Sequence, residues 1–417
     1  MLMSTVLTTG GGRTGRLAAL ALLSSVVLAA CSSSDSPTAH GGAPPSVLAS
    51  GAKSVSKANP VVVGVVYADD NPLGNFPETV PAARAAESYI NSHGGIGGRA
   101  LKVNLCNGKN NAASDVSCAT RFVSSGAVTV YGSDALWGTV GPTVLAKAGV
   151  VNQTGPFYGP ELTGPNAYPW QGETVTGDSA VAQYALSAHT NATCLYVQVP
   201  SYKTACVDNF KKPVEAGGGK AHTVGVPVTV ADMSQYATQV AKSKDGLVNV
   251  AVDKTLFVQL VQSSAQQNYK PTWVTFSLNA QPDLLSRLGP LAKGVVFWSD
   301  IKSPTDTSDP DTAIFNAAMS KYQPSGQIDP VSAQTFSDLM TLKRLGDKVG
   351  GAALTRAGMP KILGGISGVQ QFMGPQLDST KHLPGLPHSF HTGSYLYQWN
   401  GKSFVPFGKG YYEYQAG

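Results

Sequence analysis

The sequence predicts an α/β protein made of two doubly wound, Rossmann-like lobes. Three observations carry this expectation. Runs rich in β-branched residues recur along the chain, beginning with Val61-Val62-Val63-Gly64-Val65-Val66. Unbroken apolar runs of this length mark strands buried on both faces. Stretches with apolar residues at helical spacing separate successive runs, and the strand–helix alternation occurs twice over, which is the pattern of two parallel-sheet units.

The elements follow in order. After the first strand and the loop "ADDNPLGNF", a helix starts near Glu78, with Val80, Ala83, Ala86 and Ile90 on one face. Pro81 is tolerated in its first turn. The helix ends in a glycine-rich segment, and "ALKVNLC" alternates as a second strand. A helix at 113–124 precedes the strand "AVTVYG", and one from about Thr139 precedes "GVVNQTG". In the second unit, helices near 178–189, 206–216, after Asp232, at 256–267 and near Asp283 alternate with "CLYVQVP", "HTVGVPVT", "GLVNVAVD", "TWVTFS" and "GVVFWSD". Two long helices, 312–322 and 329–348, come next. The segment "GSYLYQWNGKSFVPFG" then reads as a hairpin turning at Asn400-Gly401.

Gly95-Ile96-Gly97-Gly98-Arg99-Ala100 fits G-x-G-x-x-A, the glycine fingerprint of a dinucleotide-binding turn. That fingerprint must follow a strand and open a helix, because the helix N-terminus holds the pyrophosphate. Here the glycines follow a helix and precede a strand. The expectation is a tight helix-to-strand turn, with glycines supplying positive φ.

The N-terminus reads as an export signal over residues 1–30. Arg13 and Arg16 precede the uncharged run "LAALALLSSVVLAA", which is short for a bilayer span. Leu28-Ala29-Ala30-Cys31 resembles the bacterial lipobox. The resemblance implies a diacylated Cys31 as the first mature residue, and two chains anchor stably where one binds weakly. Residues 31–59 are rich in Ser, Ala, Gly and Pro, the composition of a flexible tether. No later run is long and apolar enough to span a membrane, so the rest is expected to be soluble and extracytoplasmic.

Charged residues make up 13% and hydrophobic ones 42% of the chain, which suits a globular core and not a disordered chain. The net charge of +5 falls to +3 once Arg13 and Arg16 leave with the signal. No Lys/Arg cluster supports nucleic-acid binding. Beyond Cys31 there remain Cys106, Cys118, Cys194 and Cys206, in two pairs each spaced by 12. In an oxidising compartment this favours two local disulfides, although four cysteines allow three pairings. The absence of C-x-x-C and of histidines at ligand spacing argues against zinc.

The opening strand, the segment "YINSHGGIGGRALKVNLCNGKNNAASDVSCATRFV", "GVVNQTGPFYGPELTGPN" and "DMSQYATQV" resemble the periplasmic binding proteins of type I fold, in their branched-chain amino acid (Leu/Ile/Val-type) branch. The likeness covers nearly all of residues 60–417. It implies two lobes joined by a three-segment hinge, with lobe 1 at 60–176 and 304–372 and lobe 2 at 177–303 and 373–417. It also implies a ligand in the interlobe cleft, at loops following strand C-termini. Those loops contain Asp70 after the first strand, Ser133 and Trp137, then Thr154, Phe157 and Tyr158, and Tyr202 in lobe 2. Amino-acid binders in this family carry an acidic residue in lobe 2 for the ligand's ammonium. Asp253 occupies that region, but Lys254 and Phe257 beside it depart from the pattern. Trp137, Phe157, Tyr158 and Trp298 could form an aromatic wall suited to an aromatic, amide or sugar-like ligand.

No G-x-S-x-G elbow or H-E-x-x-H motif points to catalysis. His382, His388 and His391 fall in a Pro/Gly-rich loop without clustered carboxylates and read as loop histidines. The sequence thus predicts a non-enzymatic binding lipoprotein with no metal or cofactor and no nucleic-acid partner. Its partners would be a small-molecule ligand, the membrane through its lipid anchor, and the membrane subunits of an ABC permease. A sensor or surface interaction lipoprotein without a transport partner is the alternative, and the absence of a neighbouring permease gene would favour it.

Overall fold

The computed structural model describes residues 55–69, 75–109, 111–132, 141–153 and 163–415. Cys31 and the signal region lie outside them. Among the described residues no helix is long and apolar enough to cross a membrane.

Strand β1 (Ser56–Tyr67) is the spine of the first sheet. It pairs in parallel with β2 (Arg99–Asn107) on one side and β3 (Thr129–Tyr131) on the other, and β4 (Val151–Asn152) completes the order β2-β1-β3-β4. The side-chain period of two divides the valine run between two cores. Val61, Val63 and Val65 enter a cluster with Ile90, Phe315, Phe336 and Leu339. Val62 and Val66 face Phe122, Cys118 and Leu145 on the opposite side. Each fully buried valine contributes about 1.5–3 kcal/mol. Helices α1 (Thr79–Ser92), α10 (Pro310–Tyr322) and α11 (Pro330–Val349) cover the first face. Helices α2 (Ala112–Ser124) and α3 (Gly141–Lys147) cover the second.

β1 begins at Ser56, four residues inside the stretch expected to be tether. The cause is Arg99, which donates to the carbonyls of Asn59 (2.7 Å), Pro60 (3.0 Å) and Gly351 (2.6 Å) and so fastens this entry to the lobe. The glycine segment is the helix-to-strand turn anticipated. Gly94, Gly95, Gly97 and Gly98 all have positive φ, and an Ile96–Arg99 bridge closes the turn.

The second sheet has the order β13-β12-β9-β8-β7-β5-β6. Its parallel strands are β5 (Ala192–Val197), β6 (Ala221–Val226), β7 (Leu247–Ala251), β8 (Thr272–Phe276) and β9 (Val296–Ser299). β12 (Gly393–Trp399) runs antiparallel to β9, and β13 (Phe404–Glu413) antiparallel to β12. The hairpin turns at Asn400, whose Oδ1 accepts from the amides of Lys402 (2.8 Å) and Ser403 (2.9 Å). Val248 and Val250 face α7 (Ser234–Ser243), α8 (Lys254–Gln266) and α9 (Pro282–Leu288); Leu247 and Ala251 face α4 (Glu173–Ser187) and the helix after β5. That helix is α5 (Pro200–Thr204), a π-helical turn (Ala205–Lys211) and α6 (Lys212–Ala216).

Cys106–Cys118 joins β2 to α2, and Cys194–Cys206 joins β5 to the π turn. This settles the pairing left open by spacing alone. Asp178 lies beside the second disulfide; with both sulfurs bonded to each other, the trio of Asp178, Cys194 and Cys206 is not a metal centre.

The chain passes between the two sheets three times. Trp170 belongs to the first core and Ala180 to the second; Trp298 to the second and Ile301 to the first; Phe390 to the first and Leu396 to the second. The last passage falls later than the expected boundary at 372. Strands β10 (Ser367–Gln370) and β11 (Gln376–Asp378) flank Phe372, and beyond it Met373 and Leu377 still pack in the first core. Neither these strands nor α12 (Met359–Gly364) was expected.

Candidate functional site

In parallel sheets the loops beyond strand C-termini are where ligands gather. In the first lobe the described residues frame those loops. Asn107 Oδ1 accepts from the amides of Asp69 (3.2 Å) and Lys109 (2.9 Å), holding the exits of β1 and β2 together. Gly132 leaves β3 with φ 74°, and a Cβ there would lie 2.2 Å from the Val66 carbonyl oxygen. Only glycine fits so close an approach. Buried Asp115 on α2 accepts from the Gly141 amide at 2.9 Å and receives the returning chain; burial raises its pKa. Gln153 Oε1 accepts from Thr129 Oγ1 at 2.6 Å as the chain leaves β4. Asp70, Ser133, Trp137, Thr154, Phe157 and Tyr158 lie outside the described residues.

In the second lobe Asp253 caps α8. Its Oδ1 accepts from the amides of Thr255 (2.8 Å) and Leu256 (3.2 Å), which satisfies two donors of the helix start. Burial raises its pKa, and these bonds oppose the rise. The next residue, Lys254, donates to Gln281 Oε1 and lies 3.1 Å from Asp283. Ser201, in α5, has a buried Oγ without a hydrogen-bond partner.

Two of the expected ligand contacts are core residues. Tyr202 is buried in the cluster of Cys206 and Phe210. Trp298 is 3% exposed and its indole is covered by α4 at Gly177, while its expected aromatic partners Trp137, Phe157 and Tyr158 lie outside the described residues. The physical reason for the burial of Trp298 is its place within β9, where side chains alternate between helix layers rather than face a loop.

The lobes meet near α1. Glu78, at the N-cap position of α1, is 9% exposed. Its Oε1 accepts from Gln327 at 3.4 Å, and Oε2 has no partner. Gln327 also donates to Asp329 at 2.7 Å, and Asp329 caps α11. Burial pushes the Glu78 carboxyl up to about 7; Asp329 adds to the rise, and Lys254 from the other lobe opposes it. Pro330, next to Asp329, lines a small cavity with Ser277 and Ala280 of the second lobe. The sequence marks Glu78 and Asp329 only as helix starts and gives no signal for Gln327. The signal available was the capping pattern Asp329-x-x-Ser332.

The histidines divide. His388 stacks on Tyr168, with ring centroids 4.7 Å apart, and His382 Nδ1 lies 3.2 Å from the Ser389 carbonyl oxygen. His391 is not a solvent-facing loop residue: it is fully buried at the third passage between sheets.

Two doubly wound lobes with three connecting passages define a bilobal ligand-binding architecture. The family model described as "Periplasmic binding protein" matches residues 60–403, and the chain belongs to that family. No curated protein matches the sequence. Solved structures share the fold at low identity. An extracellular ligand-binding receptor from Verminephrobacter eiseniae ef01-2 aligns with TM-score 0.69 at 16% identity, over 83% of this chain and 100% of that one. A fatty acid ABC transporter substrate-binding protein from Thermomonospora curvata gives 0.70 at 13%, over 86% and 94%. A putative branched-chain amino acid ABC transporter from Silicibacter pomeroyi gives 0.66 at 13%, over 84% and 96%.

Proposed function

We propose that this chain is an extracytoplasmic solute-binding lipoprotein. It captures a small polar ligand, such as an amino acid, an amide or a related compound, between its lobes and delivers it to an ABC permease. Family membership supports binding. The observation that carries the reading of lobe closure is the meeting of Pro330 on one lobe with Ser277 and Ala280 on the other around one small cavity. Ligand contacts come from the loops with Asp70, Ser133, Trp137, Thr154, Phe157 and Tyr158, and from Asp253, whose bonds to the helix fall on Oδ1. Closure is a population shift that the ligand drives by binding the closed form better. Cys31 carries the lipid anchor on the outer face of the cytoplasmic membrane.

A thermal-shift panel of amino acids, their amides, short-chain, fatty and aromatic acids, and sugars tests this. A ligand at 100-fold its dissociation constant adds about 2.7 kcal/mol of stability. A shift confined to one chemical class is expected and names the ligand class. A flat panel on folded, ligand-free protein would overturn the reading.

A further inference from the structure

The three passages between the lobes converge on one carboxylate. Asp300 sits in the second passage, between Trp298 of one core and Ile301 of the other. From the first passage, the Glu173 amide donates to its Oδ2 (3.2 Å) and Thr176 Oγ1 donates to its Oδ1 (3.3 Å). From the third, Ser394 Oγ donates to Oδ1 (3.4 Å) and also reaches Thr176 Oγ1 (2.9 Å). His391 Nε2 stands 3.2 Å from the same oxygen, without the alignment of a hydrogen bond. All of these side chains are at least nine-tenths buried. Glu173 holds a left-handed backbone, φ 44°, at the start of α4. A non-glycine residue in that region persists only where its surroundings hold it.

We propose that Asp300 is the positioning residue that fixes the angle between the lobes. It is the charged member of a trio in which Asp300, Thr176 and Ser394, one from each passage, bond one another. Rotation of one lobe against the other must move the three strands of the hinge together or break these bonds. Buried carboxylate bonds are charge-assisted and costly to leave unmade, so Asp300 makes the three strands act as one pivot. The role in ligand capture rests on the binding reading above; the pivot itself does not.

The test is small-angle X-ray scattering on the ligand-free full chain in detergent. Asp300→Asn keeps the volume but turns an amide donor toward groups that donate. A shift to a larger radius of gyration is expected, with far-UV circular dichroism unchanged. Thr176→Val and Ser394→Ala each remove one donor to Asp300 together with the bond between the two hydroxyls, leave the carboxylate and its Glu173 amide bond in place, and give smaller shifts in the same direction. If Asp300→Asn does not fold, these two variants decide. Wild-type scattering curves from all folded variants would overturn the proposal. Because no ligand is used, a flat ligand panel would sink the transport reading and leave this result standing.

Discussion

Gly177 of α4 lies against the indole of Trp298 in β9 with no space between them: a Cβ on Gly177 would come within 2.4 Å of Trp298 Cδ2. The glycine lets the helix seat directly on the sheet. Gly177→Ala should therefore destabilise the protein by about 1–3 kcal/mol through overpacking, despite the better helix propensity of alanine. Urea denaturation measures this. A gain in stability would show that the ring moves aside freely.

Three buried carboxyls predict how stability depends on pH. Burial raises Asp338 to about 8, Asp178 to about 7 and Glu78 to about 7. In the unfolded chain such groups ionise near pH 4. As pH rises from about 4 to 8, the unfolded state loses these protons first, so stability falls across this window. The melting temperature should be higher at pH 5 than at pH 8. Asp338→Asn should raise it at pH 8 by at least about 2 °C and flatten the slope.

Each disulfide closes a loop of the same length, with a sequence separation of 12. Loops of this size contribute about 3 kcal/mol apiece in the chain-entropy model. Replacing both members of either pair by serine should lower the melting temperature to a similar degree, measured by calorimetry. Intact-mass analysis of peptides from the unreduced protein should recover only the pairings 106–118 and 194–206.

Asp253 has two separable roles. Asp253→Ala removes the cap of α8 and should cost about 1 kcal/mol of stability. Asp253→Ser keeps a capping oxygen but loses the charge. If the ligand carries an ammonium, both variants should weaken binding at least about tenfold by isothermal titration calorimetry, while only the alanine variant loses stability. Wild-type affinity in the serine variant would remove Asp253 from the site.

Much of the fold was legible because its signals are local. The valine run, the glycine turn after α1 and the Asn400-Gly401 hairpin each depend on a few neighbouring residues. The first strand's true start was hidden because Arg99, some forty residues on, holds it. The three-segment hinge was expected from the resemblance, but the side chains that bond across it were hidden for the same reason. Asp300, Thr176, His391 and Ser394 are unremarkable in sequence and acquire meaning only when three distant passages meet. Strands β10 and β11 are short, and their residues lack the alternation that marks longer strands. The seat of Trp298 beneath Gly177 was hidden likewise, because the helix that covers it lies more than a hundred residues earlier.

The threefold passage also governs how the molecule can be born. The first core needs Phe336 and Leu339 from α11 to cover valines laid down more than 250 residues earlier. The second sheet needs β12 to cover the outer edge of β9, and β13 to extend the sheet beyond β12. Neither lobe is a continuous piece of chain. A chain made from its N-terminus therefore cannot finish either lobe until nearly all of it has been synthesised. Contacts this far apart in sequence form slowly, so the same topology that builds the hinge delays completion of both lobes.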